Sequence, residues 1–69
     1  MKGLYQHFTG DIYEVLMVGQ CVNTGAPLVI YGDKDGGIFV EPEHMFSGYV
    51  KHNGFTMPKF TKLENNFIM

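Results

Sequence analysis

The segment Tyr49-Val50-Lys51-His52-Asn53-Gly54-Phe55-Thr56-Met57-Pro58 constrains the fold of this chain more than any other. Asn-Gly is the favoured pair for a two-residue type I′ turn, in which both central residues take positive φ. Strand-forming residues flank the pair on both sides, so the segment predicts an antiparallel hairpin. Pro58 has no N–H to give to a ladder, so the second strand ends there or lies at an edge.

The rest of the chain carries the same alternation of short apolar runs and turn residues. Residues 5 to 8 (Tyr-Gln-His-Phe) lead into a Thr9-Gly10 turn, and Ile12 to Val22 form a long run rich in β-branched and aromatic types. Neither the odd nor the even positions of that run are fully polar, which suits a bent strand or one at an interface, with Gly19 the expected bend. Asn23 to Pro27 is a loop by composition, Leu28 to Tyr31 a strand, Gly32 to Gly37 a turn, and Ile38 to Val40 a third short strand. Pro42-Glu43-His44-Met45-Phe46 favours one helical turn, stopped at Ser47-Gly48, with Gly48 free to turn left-handed. The expected fold is mainly β: a small barrel or roll of five to six short antiparallel strands with one short helical turn. Residues 1–63 form its single domain, and 64–69 a loosely held tail.

At 69 residues the chain buries only about 60% of the surface its unfolded form exposes, so its core is small. Cys21 is the single cysteine, which rules out an internal disulfide and suits a reducing compartment. Good packing or self-association is left to stabilise the fold. Net charge is −2, and the five basic residues are all lysines. A chain without arginine or a basic run is poorly equipped for duplex nucleic acid. The apolar runs are too short to span a membrane, and Met1-Lys2-Gly3 does not open a signal peptide, so a cytoplasmic location is expected.

An ordered series of residues resembles the domain-of-unknown-function family 1653. It runs through Tyr5-x-His7-Phe8-x-Gly10, Tyr13-x-Val15-Leu16, Leu28-Val29-x-Tyr31, Val40-x-Pro42, Met45-Phe46 and Phe60, and so covers nearly the whole chain. The resemblance implies a small SH3-like barrel from a bacterial or phage setting, and no reaction. Where the family tends to carry Arg after the third-strand tyrosine, this chain has Gly32. Where it tends to read Trp-Val-Arg-Pro, this chain reads Phe39-Val40-Glu41-Pro42, with a shorter loop before it. If relatives use that Trp and those arginines for an anion, Glu41 repels one here.

The residues that carry chemistry each have a plain reading beside the functional one. Tyr5, Phe8 and Tyr13 pack a first hairpin, or line a groove of the kind that takes extended peptides, with His7 among them. His7, His44, His52 and Cys21 show no zinc spacing, although His7 and His52 are able to meet across strands. Cys21 lies in a strand pattern, where a free Cys is a small buried hydrophobe. Asp33-Lys34-Asp35-Gly36-Gly37 lacks the ligands of a calcium loop and reads as a solvated turn. Met45-Phe46 plugs the barrel end, or presents Met45 as a contact. No cofactor or metal is expected, and no catalytic constellation is found.

The expected function is therefore a non-catalytic module that contacts a protein or peptide through an aromatic, weakly acidic face. Tyr5, His7, Tyr13, Tyr31 and Phe39 are the candidates for that face. Phage members of the resembling family suggest that such a protein blocks a host factor. The alternative is a small-molecule or nucleotide-sequestering binder whose pocket lies at a homo-oligomer interface, because one small barrel has no spare interior.

Overall fold

A computed structural model of the protein describes residues 1–63; the expected loose tail lies outside them. The chain runs β1 (Gly3–His7), β2 (Ile12–Gln20), β3 (Pro27–Gly32), β4 (Ile38–Pro42), α1 (Glu43–Phe46), β5 (Tyr49–His52), β6 (Phe55–Pro58) and β7 (Phe60–Lys62). Two antiparallel sheets result, one of five strands in the order β4-β3-β2-β1-β7 and one of the pair β5-β6. The fold is mainly β with one short helix, as expected. The large sheet is open, with β4 and β7 as its edges, which is compatible with a small barrel or roll.

Asn53 and Gly54 take φ of 53° and 82°, so the type I′ hairpin forms where the Asn-Gly pair places it. Pro58 ends β6. The chain re-enters the large sheet immediately afterwards through β7, which pairs His7 with Phe60 and Tyr5 with Lys62. This seventh strand exceeds the five or six expected. Three residues after a proline carry no readable period, and only the distant β1 makes them a strand.

The pairing of β2 with β3 runs without a break through Gly19, and its irregularity lies earlier. Val15 pairs with Tyr31 and Met17 with Ile30, so Leu16 is an extra residue with no partner. A bulge of this kind reverses the alternation of faces beyond it. Tyr13 and Val15 share the inner face with Tyr31, whereas beyond the bulge it is Val18 that lies beside Val29. The mixed polarity of both registers in β2 follows from this change of phase.

Cys21 lies outside the strand in which it was expected. β2 ends at Gln20, and Cys21 opens the turn by donating its N–H to Ala26 O and accepting from Gly25 N, both at 2.7 Å. The Thr24 side chain, with the Thr24 and Asn23 N–H groups, lowers its thiol pKa below the ordinary value. Val22 beside it is 93% exposed. Gly48 is also used differently from expectation. Its φ is not left-handed; a Cβ there would lie 3.3 Å from Met45 O, so the tight helix exit itself favours glycine.

The buried core is Tyr5, Val15, Val29, Phe46 and Phe60, all on one side of the large sheet. Phe46, the single buried residue of α1, stacks on Phe60 at 4.2 Å between ring centroids. It is the plug expected from Met45-Phe46, whereas Met45 points outward and is half exposed. The β5–β6 hairpin leaves and rejoins the body at one point, where Lys59 donates its N–H to Gly48 O at 2.9 Å.

Candidate functional site

The inner face of the large sheet continues past the core into a shelf of aromatic rings. Antiparallel pairing sets Tyr5 beside Tyr13, and Tyr31 beside Phe39, while the His7–Phe60 pair closes the far edge. The Tyr13 ring lies 5.5 Å from Tyr31 and 6.2 Å from Phe39, and Tyr31 lies 5.6 Å from Phe39. His7 meets Tyr13 at 6.1 Å and Phe60 at 4.9 Å. Most of these contacts are edge-to-face, the arrangement that the ring quadrupole favours.

All five candidates therefore share one face, but not equally. Phe39 is 41% exposed, and His7, Tyr13 and Tyr31 are half-buried with surface to offer. Tyr5 is the correction. It is a core residue whose ring edges against Phe46 at 5.2 Å, and its hydroxyl donates to Met1 O at 3.0 Å. Its position on β1, between the sheet and the α1 plug, leaves it almost no surface for a partner.

One polar device that the sequence did not announce sits among the rings. Glu41 accepts the Tyr31 hydroxyl on Oε1 at 2.8 Å and pairs through Oε2 with Lys59 Nζ at 2.5 Å. Burial, and then the Glu41 hydrogen bond and charge, push the Tyr31 phenol well above its ordinary pKa. Tyr31 thus stays a neutral donor with a fixed orientation. In the sequence Glu41 shows only as a group that repels anions, and Lys59 carries no signal of its own. They are 18 residues apart, and no local pattern announces such a pair. Phe60, which packs against His7, Tyr13 and Tyr31, likewise carries no local signal of its own.

His7 does not meet His52. Phe8 stands between them, 4.4 Å from His7 and 5.2 Å from His52. His7 Nδ1 shares a 2.7 Å hydrogen bond with Thr9 Oγ1. Partial burial, helped by the Lys59 ammonium, holds its pKa below 6.5, while Asp11 and Glu41 pull the other way. Among the described residues no three His, Cys, Asp or Glu side chains gather as metal ligands would.

At the end of the shelf, the β1–β2 and β3–β4 turns enclose an open hollow of about 310 Å³, lined by Tyr13, Asp11, Asp33, Lys34 and Asp35 among others. The Asp33 carboxylate is occupied within its own turn, accepting from Asp35 N at 2.9 Å and Gly37 N at 2.7 Å. The turn is folded by its own hydrogen bonds, as the solvated-turn reading requires. A Cβ on Gly37 would come within 3.0 Å of Phe39 Cζ, so the glycine is what lets the Phe39 ring lie against the turn. Among the described residues no helix is long and apolar enough to cross a membrane.

Residues 3–62 match the model of a family described as a protein of unknown function, DUF1653. The chain is also similar to a crystal structure of a DUF1653 protein from Bordetella bronchiseptica. That match has a TM-score of 0.81 and 19% identity, and covers 91% of this chain and 86% of the other. At that identity the likeness concerns the fold. No relative is found among curated proteins.

Proposed function

Because the chain belongs to the DUF1653 family, whose description assigns no activity, we propose its role from its own surface: a non-catalytic module of the cytoplasm that binds an extended protein segment. The observation that supports this reading is the aromatic shelf of Tyr13, Tyr31 and Phe39, with His7 at its edge. Rings held against one another lose little freedom on binding, and they offer flat faces to proline or aliphatic side chains, as SH3-like grooves do. The Glu41–Lys59 pair and the neutral Tyr31 hydroxyl supply fixed polar points for backbone groups.

The acidic hollow beyond Tyr13 sets the preferred ligand. Three aspartates against one lysine favour a segment whose apolar or proline-rich stretch is followed by Lys or Arg, the cation lying beside the Tyr13 ring. The same aspartates oppose the alternative reading, a pocket that sequesters a nucleotide at an interface between copies, because they repel its phosphates.

Peptide display against the full 69-residue chain, followed by amide and side-chain NMR titration of the selected peptides, tests the reading. Shifts centred on Tyr13, Tyr31 and Phe39, with affinity falling roughly tenfold or more in Phe39→Ala, are expected. Peptides that perturb only the opposite side of the sheet, or no enrichment at all, refute it.

A further inference from the structure

We infer that the outer face of the five-stranded sheet is the interface of a homodimer. The cross-strand pairing turns Leu4, Ile12, Met17, Ile30, Ile38 and Val40 to the side opposite the core. Five of these (all but Ile30) are 40% to 59% exposed. The face holds no aromatic ring, and Glu14 is the one charged residue on its described strands. A soluble chain rarely leaves a contiguous aliphatic face of this extent open to water.

Its extent and its chemistry both point to a second copy as the cover. At about 4.8 Å between strands and about 3.3 Å per residue, the five strands present roughly 440 Å² in plan. Side-chain relief raises the area, so two copies bury on the order of 1,000 Å² together, the lower bound for a specific interface. The face has almost no charge with which to select a foreign surface, whereas aliphatic layers from two sheets interdigitate as they do in a β-sandwich. The chain also gains what its small core lacks, a second apolar layer.

The relief is uneven along β2. Met17 projects beside Ile30, and two residues on, Gly19 leaves a notch where a Cβ would meet only Ile30 Cδ1, at 3.7 Å. The aromatic shelf stays free on both outer surfaces, so this inference stands independently of the peptide-binding proposal.

Sedimentation equilibrium of the full chain from about 5 to about 300 μM tests it. The wild-type chain is expected to pass from the mass of one chain to that of two, with a midpoint in the micromolar range. Met17→Glu places a carboxylate at the interface, and the midpoint should rise at least about tenfold or leave the range. Far-UV circular dichroism checks its folding; should it fail to fold, Val40→Lys on the same face takes its place. A wild-type monomer throughout overturns the inference. So does a dimer that survives the folded outer-face variant, or one that dissolves on Phe39→Ala instead.

Discussion

Phe46 is the largest fully buried side chain among the described residues, and its truncation gives the sharpest test of the packing described above. The ring is 1% exposed, stacked on Phe60 and edged by Tyr5 at 5.2 Å and Tyr31 at 5.3 Å. Phe→Ala at a fully buried site costs about 3–5 kcal/mol, the lost aromatic pairs included. A chain of 69 residues at about 0.05–0.15 kcal/mol per residue has only about 3.5–10 kcal/mol in total, and a core this small places it toward the lower end. Phe46→Ala should therefore leave the protein largely unfolded in plain buffer. Phe46→Leu, which keeps most of the apolar volume, should cost about 1–2 kcal/mol. Urea unfolding followed by far-UV circular dichroism reads both, with a slope of about 1 kcal/mol per molar making the Leu variant's midpoint fall by about 1–2 M. Met45→Ala, next door but exposed, should stay within about 0.5 kcal/mol of wild type. A folded Phe46→Ala protein whose midpoint drops by less than about 1 M would refute the packing argument.

Three further outcomes are expected. Titration at alkaline pH followed by phenolate absorbance should show Tyr31 ionising above the ordinary phenol range, and Glu41→Gln should lower its pKa. Because the folded Tyr31 holds its proton more tightly than the unfolded one, its share of stability is present below about pH 10 and is lost as pH rises above it. His7 has the opposite sign: its folded pKa lies below 6.5, so its share of stability is present above that pH and declines as pH falls through the folded value. The urea midpoint should accordingly fall between pH 7.5 and 5.5 by less in His7→Gln than in wild type. Gly37→Ala forces the Asp33 carboxylate or the Phe39 ring to move, at a cost of about 1–3 kcal/mol, and NMR should show the Phe39 ring signals shifting with it.

The local elements were legible in the sequence because their causes are local. Asn53-Gly54 dictates its turn through backbone sterics alone, and Pro42 and Pro58 end their strands through the N–H they lack. What escaped depends on partners far along the chain. The phase change at Leu16 exists only when β2 is set against β3, so its alternation looked like two apolar faces. β7 is a strand because β1 accepts it, and Cys21 leaves the strand because the turn claims its backbone. The same division holds for the site. Large aromatics near turns were visible as candidates, and the pairing of strands puts them on one shelf. Whether a given ring faces outward depends on what covers it: Phe46 packs on Tyr5, and the two are far apart in sequence.

The meeting of Gly48 and Lys59 at the base of the β5–β6 hairpin has a consequence for how this chain tolerates change. The two ends of the excursion are joined by a 2.9 Å hydrogen bond, so the body of the protein already holds them at bonding distance. Any segment whose own ends come together fits there without moving the five-stranded sheet, and closing a longer loop costs only about 0.6 kcal/mol per doubling. The site is a natural port for length variation. A hairpin can be shortened to a tight turn there, or a small folded unit inserted, while the aromatic shelf and the aliphatic face keep their geometry.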